Sequence, residues 1–94
     1  MNLTFGDALE ALKDGKKVAR SGWNGKGMFI YIQEGSLLID KARNKHLSEY
    51  QSSLEGSPVV INPHIDMKAA DGSIVIGWLA SQTDMLSKDW MIVE

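Results

Sequence analysis

The sequence predicts an α+β fold in which one N-terminal helix packs on an antiparallel sheet of about five short strands. Two patterns carry this prediction. Apolar residues recur at helical spacing close to the N-terminus, and several short β-branched or alternating segments follow, separated by glycine-rich turns. A chain of 94 residues has room for one domain, so we expect residues 1–94 to form a single domain.

The N-terminal segment carries the signals of a helix that begins after Thr4. Thr4 is a favourable N-cap, and Asp7 places a negative charge in the first turn, where the helix dipole favours it. Gly15 stands where a glycine commonly ends a helix. The apolar residues that repeat on one face of this helix are Phe5, Ala8, Leu9 and Leu12.

Two predicted strands, residues 17–20 and 28–33, follow the helix and flank a glycine-rich loop. Residues 21–27 hold three glycines in seven positions, which indicates unusual backbone angles. Asn24-Gly25 within this loop is a turn signal. We call residues 21–27 the glycine loop.

The stretch between Glu34 and Pro58 is the least regular part of the sequence. Leu47, Tyr50 and Leu54 give a weak helical pattern across about residues 41–54. We interpret residues 35–57 as a variable insertion in the domain.

After a short predicted strand at residues 59–61, residues 64–78 have the pattern of a β-hairpin with the turn Asp71-Gly72. A last short strand is expected at residues 90–93. This turn predicts three apolar pairs on one face, which are Ala69 with Ile74, Met67 with Ile76, and Ile65 with Trp78. The mixed face then holds His64, Asp66, Lys68, Val75 and Gly77.

Composition excludes several classes of function. The chain has no cysteine, which rules out disulfides, thiolate metal sites and thiol catalysis. Its net charge of -2 lacks the basic surplus with which proteins grip long nucleic acid. No signal peptide or membrane-spanning apolar stretch is present in the sequence, so we expect a cytoplasmic protein. The net charge is still compatible with a ligand that has one or two phosphates, since a few backbone amides and one or two cations suffice to bind it.

Both tryptophans outside the last strand have two interpretations. Trp23, in the glycine loop, either folds back over the core or exposes its indole for stacking on a flat ring such as a purine. The hairpin register favours core packing for Trp78, although its place at a strand end leaves one edge available to a ligand.

Polar candidates are also open to two interpretations. His64 and Asp66 lie two apart on one strand face, as a metal pair or an acid–base pair would, but no third ligand is near and we expect no metal. The run Ser81-Gln82-Thr83-Asp84 suits either a capping turn or a set of partners for ribose hydroxyls and base edges. No nucleophile elbow, phosphate-binding loop or dinucleotide fingerprint is present, so we expect no enzyme activity.

Three blocks of sequence together resemble a known family. They read SGWNGKGMF at residues 21–29, PHIDMKAADG at residues 63–72, and WLASQTDML at residues 78–86 followed by Asp89-Trp90. With the N-terminal helix before them, they are similar to the second Thoeris anti-defence family, small proteins of phages and prophages. The resemblance covers nearly the whole chain apart from about residues 35–57, and the two tryptophan blocks are specific as a pair.

The resemblance implies that the chain is a single ligand-binding domain that acts as a sponge for immune signals. Such proteins bind the cyclic nucleotides made by bacterial immune systems and hold them away from their effectors, without cleaving them and without a cofactor. The Thoeris signal is a glycocyclic ADP-ribose, and some relatives also bind cyclic oligonucleotides of the CBASS type. The family assembles as homotetramers with ligand sites between protomers, in the cytoplasm of the bacterial host.

The resemblance also implies roles for individual residues. Trp23 and Trp78 become stacking groups for adenine, and either Met28 or Phe29 lines an apolar wall, because neighbours in a strand point to opposite faces. The implied polar contacts are Asn24, Lys26, His64, Ser81, Thr83 and Asp84.

Two other functions stay open at this point. The polar cluster of His64, Asp66 or Asp84 could serve a hydrolase of cyclic nucleotides. Alternatively, the tryptophans could lie at a protein interface, in a phage structural or regulatory module.

Overall fold

A computed structural model describes residues 2–94. The chain forms two compact units, one that runs up to Gln33 and resumes over His64–Glu94, and one that comprises Glu34–Pro63. The elements in chain order are α1 (Phe5–Lys13), β1 (Lys17–Arg20), β2 (Phe29–Gln33), β3 (Ser36–Leu38), α2 (Lys45–Ser53), β4 (Val59–Ile61), β5 (His64–Lys68), β6 (Ile74–Val75), α3 (Gln82–Leu86) and β7 (Trp90–Val93). The predicted α+β class is confirmed.

Helix α1 begins and ends where the sequence predicts. The Thr4 hydroxyl accepts a hydrogen bond from the Asp7 amide at 3.1 Å, and the Asp7 carboxylate accepts one from the Thr4 amide at 3.0 Å. This capping box satisfies two of the amides that a helix start leaves unpaired. Gly15 follows the C-cap with φ of +84°, a conformation that favours glycine.

The first unit is built on a five-stranded antiparallel sheet in the order β6-β5-β2-β1-β7. Helix α1 covers one face of this sheet, where Val18 of β1 and Ile30 of β2 are fully buried. Alternation of side chains places Phe29, Tyr31 and Asp66 on the opposite face, since Tyr31 pairs directly with Asp66. We call this opposite side of the sheet the second face.

The hairpin of β5 and β6 differs from the predicted register by one residue. Lys68 pairs with Ile74 and Met67 with Val75, so the predicted pairs of Ala69 with Ile74 and Met67 with Ile76 are wrong. The turn has three residues rather than two. Gly72 adopts φ of +91°, and the residues on either side of the turn are joined by a 2.8 Å bond from the Ala69 amide to the Ser73 carbonyl.

A bulge after β6 restores the third predicted pair. Gly77 adopts φ of +84° and donates its amide to Asp66 Oδ1 at 2.9 Å. The next amide, of Trp78, donates to the Ile65 carbonyl at 2.6 Å. An extra residue in one strand thus brings Trp78 opposite Ile65, as the sequence predicts, while β6 is shortened to two residues.

The second unit contains the stretch interpreted as an insertion. Strands β3 and β4 form a two-stranded antiparallel sheet in which Leu37 pairs with Val60. The weakly predicted helix is present as α2, capped by the Asn44 side chain, which accepts from the Leu47 amide at 3.1 Å. The unit has a cavity of about 330 Å³, whose lining includes Lys41, and none of the residues predicted to contact ligand lines it.

Among residues 2–94, no helix is long and apolar enough to cross a membrane.

Candidate functional site

Three tryptophans from distant parts of the sequence form a tryptophan cluster in the first unit. The ring centroids of Trp23 and Trp78 are 6.3 Å apart, those of Trp23 and Trp90 5.4 Å, and those of Trp78 and Trp90 6.2 Å, all in edge-type arrangements. Trp90 is fully buried, whereas Trp23 and Trp78 pack against the core and stay partly exposed. The two interpretations of Trp23 and Trp78 therefore combine, because each indole is both a core contact and an accessible surface.

The backbone at the start of the glycine loop fixes the place of Trp23. The Gly22 amide donates to Asp89 Oδ2 at 2.8 Å, and the Trp23 amide donates to the Arg20 carbonyl at 3.2 Å. A Cβ at position 22 would lie 2.6 Å from Asp89 Oδ2, so the loop can approach this carboxylate only with glycine there. The glycine at this position is a packing requirement of the site.

Arg20 joins two carboxylates beside the tryptophan cluster. Its Nε donates to Asp89 Oδ1 at 2.9 Å, and its Nη1 donates to Asp84 Oδ1 at 2.8 Å. The same Asp84 oxygen accepts the indole N–H of Trp23 at 3.2 Å. One guanidinium against two carboxylates leaves one net negative charge here at neutral pH. The sequence interpretation missed Arg20, since only the pairing of β1 with β7 brings it to these partners.

The pKa values of this group keep all three side chains ionised. The pKa of Asp84 is lowered, because the rise caused by burial is outweighed by hydrogen bonds from Arg20, Ser81 and Trp23. The hydrogen bond from Arg20 is the main cause that lowers the pKa of Asp89, and the pKa of Arg20 is raised by its bonds to Asp89 and Asp84. The two carboxylates therefore act as fixed acceptors and are poor proton donors near neutral pH.

Ser81 and Asp84 also form the capping box of α3. The Ser81 hydroxyl accepts from the Asp84 amide at 3.0 Å, and Asp84 Oδ2 accepts from the Ser81 amide at 3.1 Å. The Asp84 carbonyl accepts the indole N–H of Trp90 at 2.9 Å. The capping interpretation of these residues is thus present in the structure, and Thr83 lies exposed on the same short helix.

The rest of the glycine loop is more open. Asn24 and Lys26 are exposed, with Met28 partly buried at its end. A Cβ on Gly25 would lie 2.5 Å from the Met28 sulfur and 2.6 Å from the Ala70 Cβ. The loop is therefore packed against the hairpin turn at Gly25, while the side chains of Asn24 and Lys26 face solvent.

Two predicted site residues, Phe29 and His64, lie on the second face, away from the tryptophan cluster. Lys17 Nζ stands 4.8 Å from the centroid of the Phe29 ring. His64 Nε2 lies 3.5 Å from Oδ1 of Asp66, a fully buried side chain whose Oδ2 has no hydrogen-bond partner within residues 2–94. The structure therefore brings Trp23, Trp78, Ser81 and Asp84 together and leaves Phe29 and His64 apart from them.

No group of three histidine, aspartate or glutamate side chains suited to holding a metal ion occurs in the described part of the chain.

The chain matches known proteins along almost its whole length. Residues 3–93 match the Thoeris anti-defense 2-like domain. The chain is also 43% identical over 91 residues to Thoeris anti-defense 2 of Bacillus phage SP01, an alignment that covers 97% of this chain and 94% of the phage protein. The resemblance drawn from the three sequence blocks is confirmed. The chain belongs to the Thoeris anti-defense 2-like family, and its role is to counter a bacterial defence system.

Proposed function

We propose that the protein binds and sequesters a cyclic nucleotide immune signal, the glycocyclic ADP-ribose of Thoeris systems, without cleaving it. The observation that carries this proposal is a pair of partly exposed indoles, those of Trp23 in the glycine loop and of Trp78. Their ring centroids are 6.3 Å apart. Stacking on an aromatic side chain contributes about 1–3 kcal/mol per base. The two rings meet at 63°, so one of them presents its face to an adenine while the other borders the base.

The charges around the cluster orient the ligand. Arg20 is occupied by Asp84 and Asp89, which leaves a net negative charge beside the tryptophans and disfavours a phosphate there. Lys26 is an exposed cation of the glycine loop, which also carries Trp23. The proposed pose therefore has the base at Trp23 and Trp78 and the phosphates towards Lys26. Within one protomer, Phe29 and His64 lie on the second face and take no part in this pose.

The hydrogen bonds of Asp84 and Asp89 argue against a role for these two carboxylates in turnover. The carboxylate oxygens of Asp84 and Asp89 accept hydrogen bonds from Arg20, the Trp23 indole and backbone amides. A hydrolase would need a carboxylate or imidazole free to move a proton at the scissile bond. A sponge needs affinity and slow release instead, and both come from a preformed site.

Exposed apolar residues next to the site favour assembly of several copies. Leu79 is 91% exposed, Leu86 72% and Ile76 68%, and they flank Trp78 and Asp84 in the chain. Large apolar side chains exposed at such nearby positions of the chain favour an interaction surface. We include in the proposal a homo-oligomer, a tetramer as the family resemblance implies, that binds its ligand between protomers in the host cytoplasm.

A thermal-shift panel tests the proposal. The pure protein is melted with glycocyclic ADP-ribose, cyclic ADP-ribose, NAD, ADP-ribose and several cyclic di- and trinucleotides. A ligand at a hundredfold excess over its Kd adds about 2.7 kcal/mol to the stability of the folded state, which gives a clear rise in Tm. Trp23→Ala should clearly reduce the rise, whereas Tyr50→Ala, which removes an exposed aromatic ring of α2, should keep it.

The competing functions give different results in the same experiment. A hydrolase would deplete the ligand over time at substoichiometric protein, and the loss would stop with His64→Ala or Asp84→Ala. A protein-binding module would show no shift with any nucleotide and would co-purify with a protein partner.

A further inference from the structure

The indole nitrogen of Trp23 is not available to a ligand, because it is already bonded. Its N–H donates to Asp84 Oδ1 at 3.2 Å, and the acceptor is a carboxylate that keeps its charge. A bond to a charged acceptor is stronger than one between neutral groups. This bond restricts rotation of the indole about its side-chain torsions.

Both carboxylate oxygens of Asp84 accept further hydrogen bonds. Arg20 Nη1 lies 2.8 Å from the oxygen that Trp23 also uses, and the Ser81 amide occupies the other oxygen at 3.1 Å. Arg20 is itself fixed by Asp89 at 2.9 Å. A continuous set of hydrogen bonds therefore links the indole to the end of β1 and to the residue before β7.

We propose that Asp84 is a positioning residue for the ligand site, which holds the Trp23 indole in the orientation that stacks on the base. Trp23 then offers a ligand its ring and not its N–H. Recognition at this position selects flat aromatic rings and is indifferent to hydrogen-bond acceptors on their edges. This inference rests on the proposed function and deepens it, because it replaces direct contact between Asp84 and the ligand with an action through Trp23.

The chain offers a matched control for Asp84. Asp7 and Asp84 are both the third helical residue of a capping box, at α1 and α3 respectively. Only Asp84 also bonds Arg20 and Trp23. Comparison of Asp84→Ala with Asp7→Ala therefore separates loss of a helix cap from loss of the restraint on the indole.

The first measurement needs no ligand. Indole N–H signals are recorded by ¹⁵N–¹H NMR for the wild type and for both alanine variants. The Trp23 signal should move and broaden in Asp84→Ala and stay unchanged in Asp7→Ala. An unchanged Trp23 signal in Asp84→Ala would overturn the proposal. Asp84→Asn, which keeps the side-chain volume but has one acceptor oxygen where Asp84 uses two, serves if the alanine variant does not fold.

The second measurement is a double-mutant cycle on affinity for glycocyclic ADP-ribose by calorimetry. Asp84→Ala should weaken binding about tenfold, as expected for loss of one hydrogen bond to a charged group. In the background of Trp23→Phe, which has a ring but no N–H, the same change should weaken binding less than about twofold. Equal losses in both backgrounds would contradict action through Trp23. If the wild type binds no nucleotide, the proposed function fails, and the NMR comparison still decides whether Asp84 restrains the Trp23 indole.

Discussion

The indole Nε1 of Trp23 and the carboxylate of Asp84 meet at 3.2 Å although they lie 61 residues apart in the sequence. This contact joins the glycine loop to α3, and through Arg20 it joins both to β1. The aromatic surface proposed to bind a base is therefore tied to a charged network. The stability of the fold and the geometry of the site depend on the same few side chains.

Arg20→Gln should lower the free energy of unfolding by about 2–3 kcal/mol, because it leaves two carboxylates without their cation in a mostly buried setting. Urea denaturation of the pure protein measures this. Lys13→Ala provides the control, since it removes an exposed ion pair with Glu10 at 3.6 Å and should change stability by less than about 0.5 kcal/mol. Equal effects of the two changes would show that the network adds nothing to stability.

Stability should fall as the pH drops into the acid range. The pKa values of Asp84 and Asp89 are lowered in the folded protein, so the unfolded chain binds more protons and acid favours unfolding. The contribution is complete above the ordinary aspartate pKa of about 4 and is lost as the pH falls through the lowered values. Urea denaturation at pH 7 and at pH values from about 4 downwards measures this. Arg20→Gln should flatten the slope, and an unchanged slope would contradict the assigned cause.

Gly22→Ala should disrupt the site through Asp89. The added Cβ would lie 2.6 Å from Asp89 Oδ2, so the carboxylate must move and its bonds to Arg20 and to the backbone amide weaken. We expect a loss of about 1–3 kcal/mol in stability together with weaker ligand binding. Thermal melts with and without ligand measure both.

Gly6→Ala should raise the stability of the protein, in contrast to Gly22→Ala. Gly6 lies in α1, where a Cβ would meet only Thr4 Oγ1 at an ordinary 3.7 Å. Alanine favours the helix over glycine by up to about 1 kcal/mol, so the melting temperature should rise. Ligand affinity should be unchanged, because α1 contributes no residue to the proposed site. Destabilisation by Gly6→Ala would contradict the helix geometry at its first turn.

Local signals were sufficient to predict much of the fold. Thr4, Asp7 and Gly15 fixed the ends of α1, because capping and a left-handed glycine act within a few residues. The hairpin was placed correctly but its register was not. The three-residue turn that ends at Gly72 and the bulge at Gly77 each shift the pairing by one residue, and two such shifts cannot be separated by the pattern of apolar residues alone.

The site was harder to predict than the fold. Arg20 is a single charged residue at a strand end, and its partners follow 64 and 69 residues later, so no local spacing reveals the network. The sequence also could not tell that Phe29 and Trp23 lie on opposite sides of the sheet. The face on which Phe29 lies depends on the residue at which β2 begins. The glycine loop between Trp23 and Phe29 determines that residue, and the loop has no periodic pattern from which it can be predicted.

The central claim, that the protein holds an intact cyclic nucleotide on its tryptophans, is tested most directly by titration with glycocyclic ADP-ribose followed by heat denaturation and quantification of the released nucleotide. We expect tight binding, full recovery of unchanged ligand, and an affinity that falls between about fivefold and 150-fold in Trp23→Ala, the range that stacking energies imply. Recovery of a cleaved product, or a Trp23→Ala variant that binds as tightly as the wild type, would contradict the account.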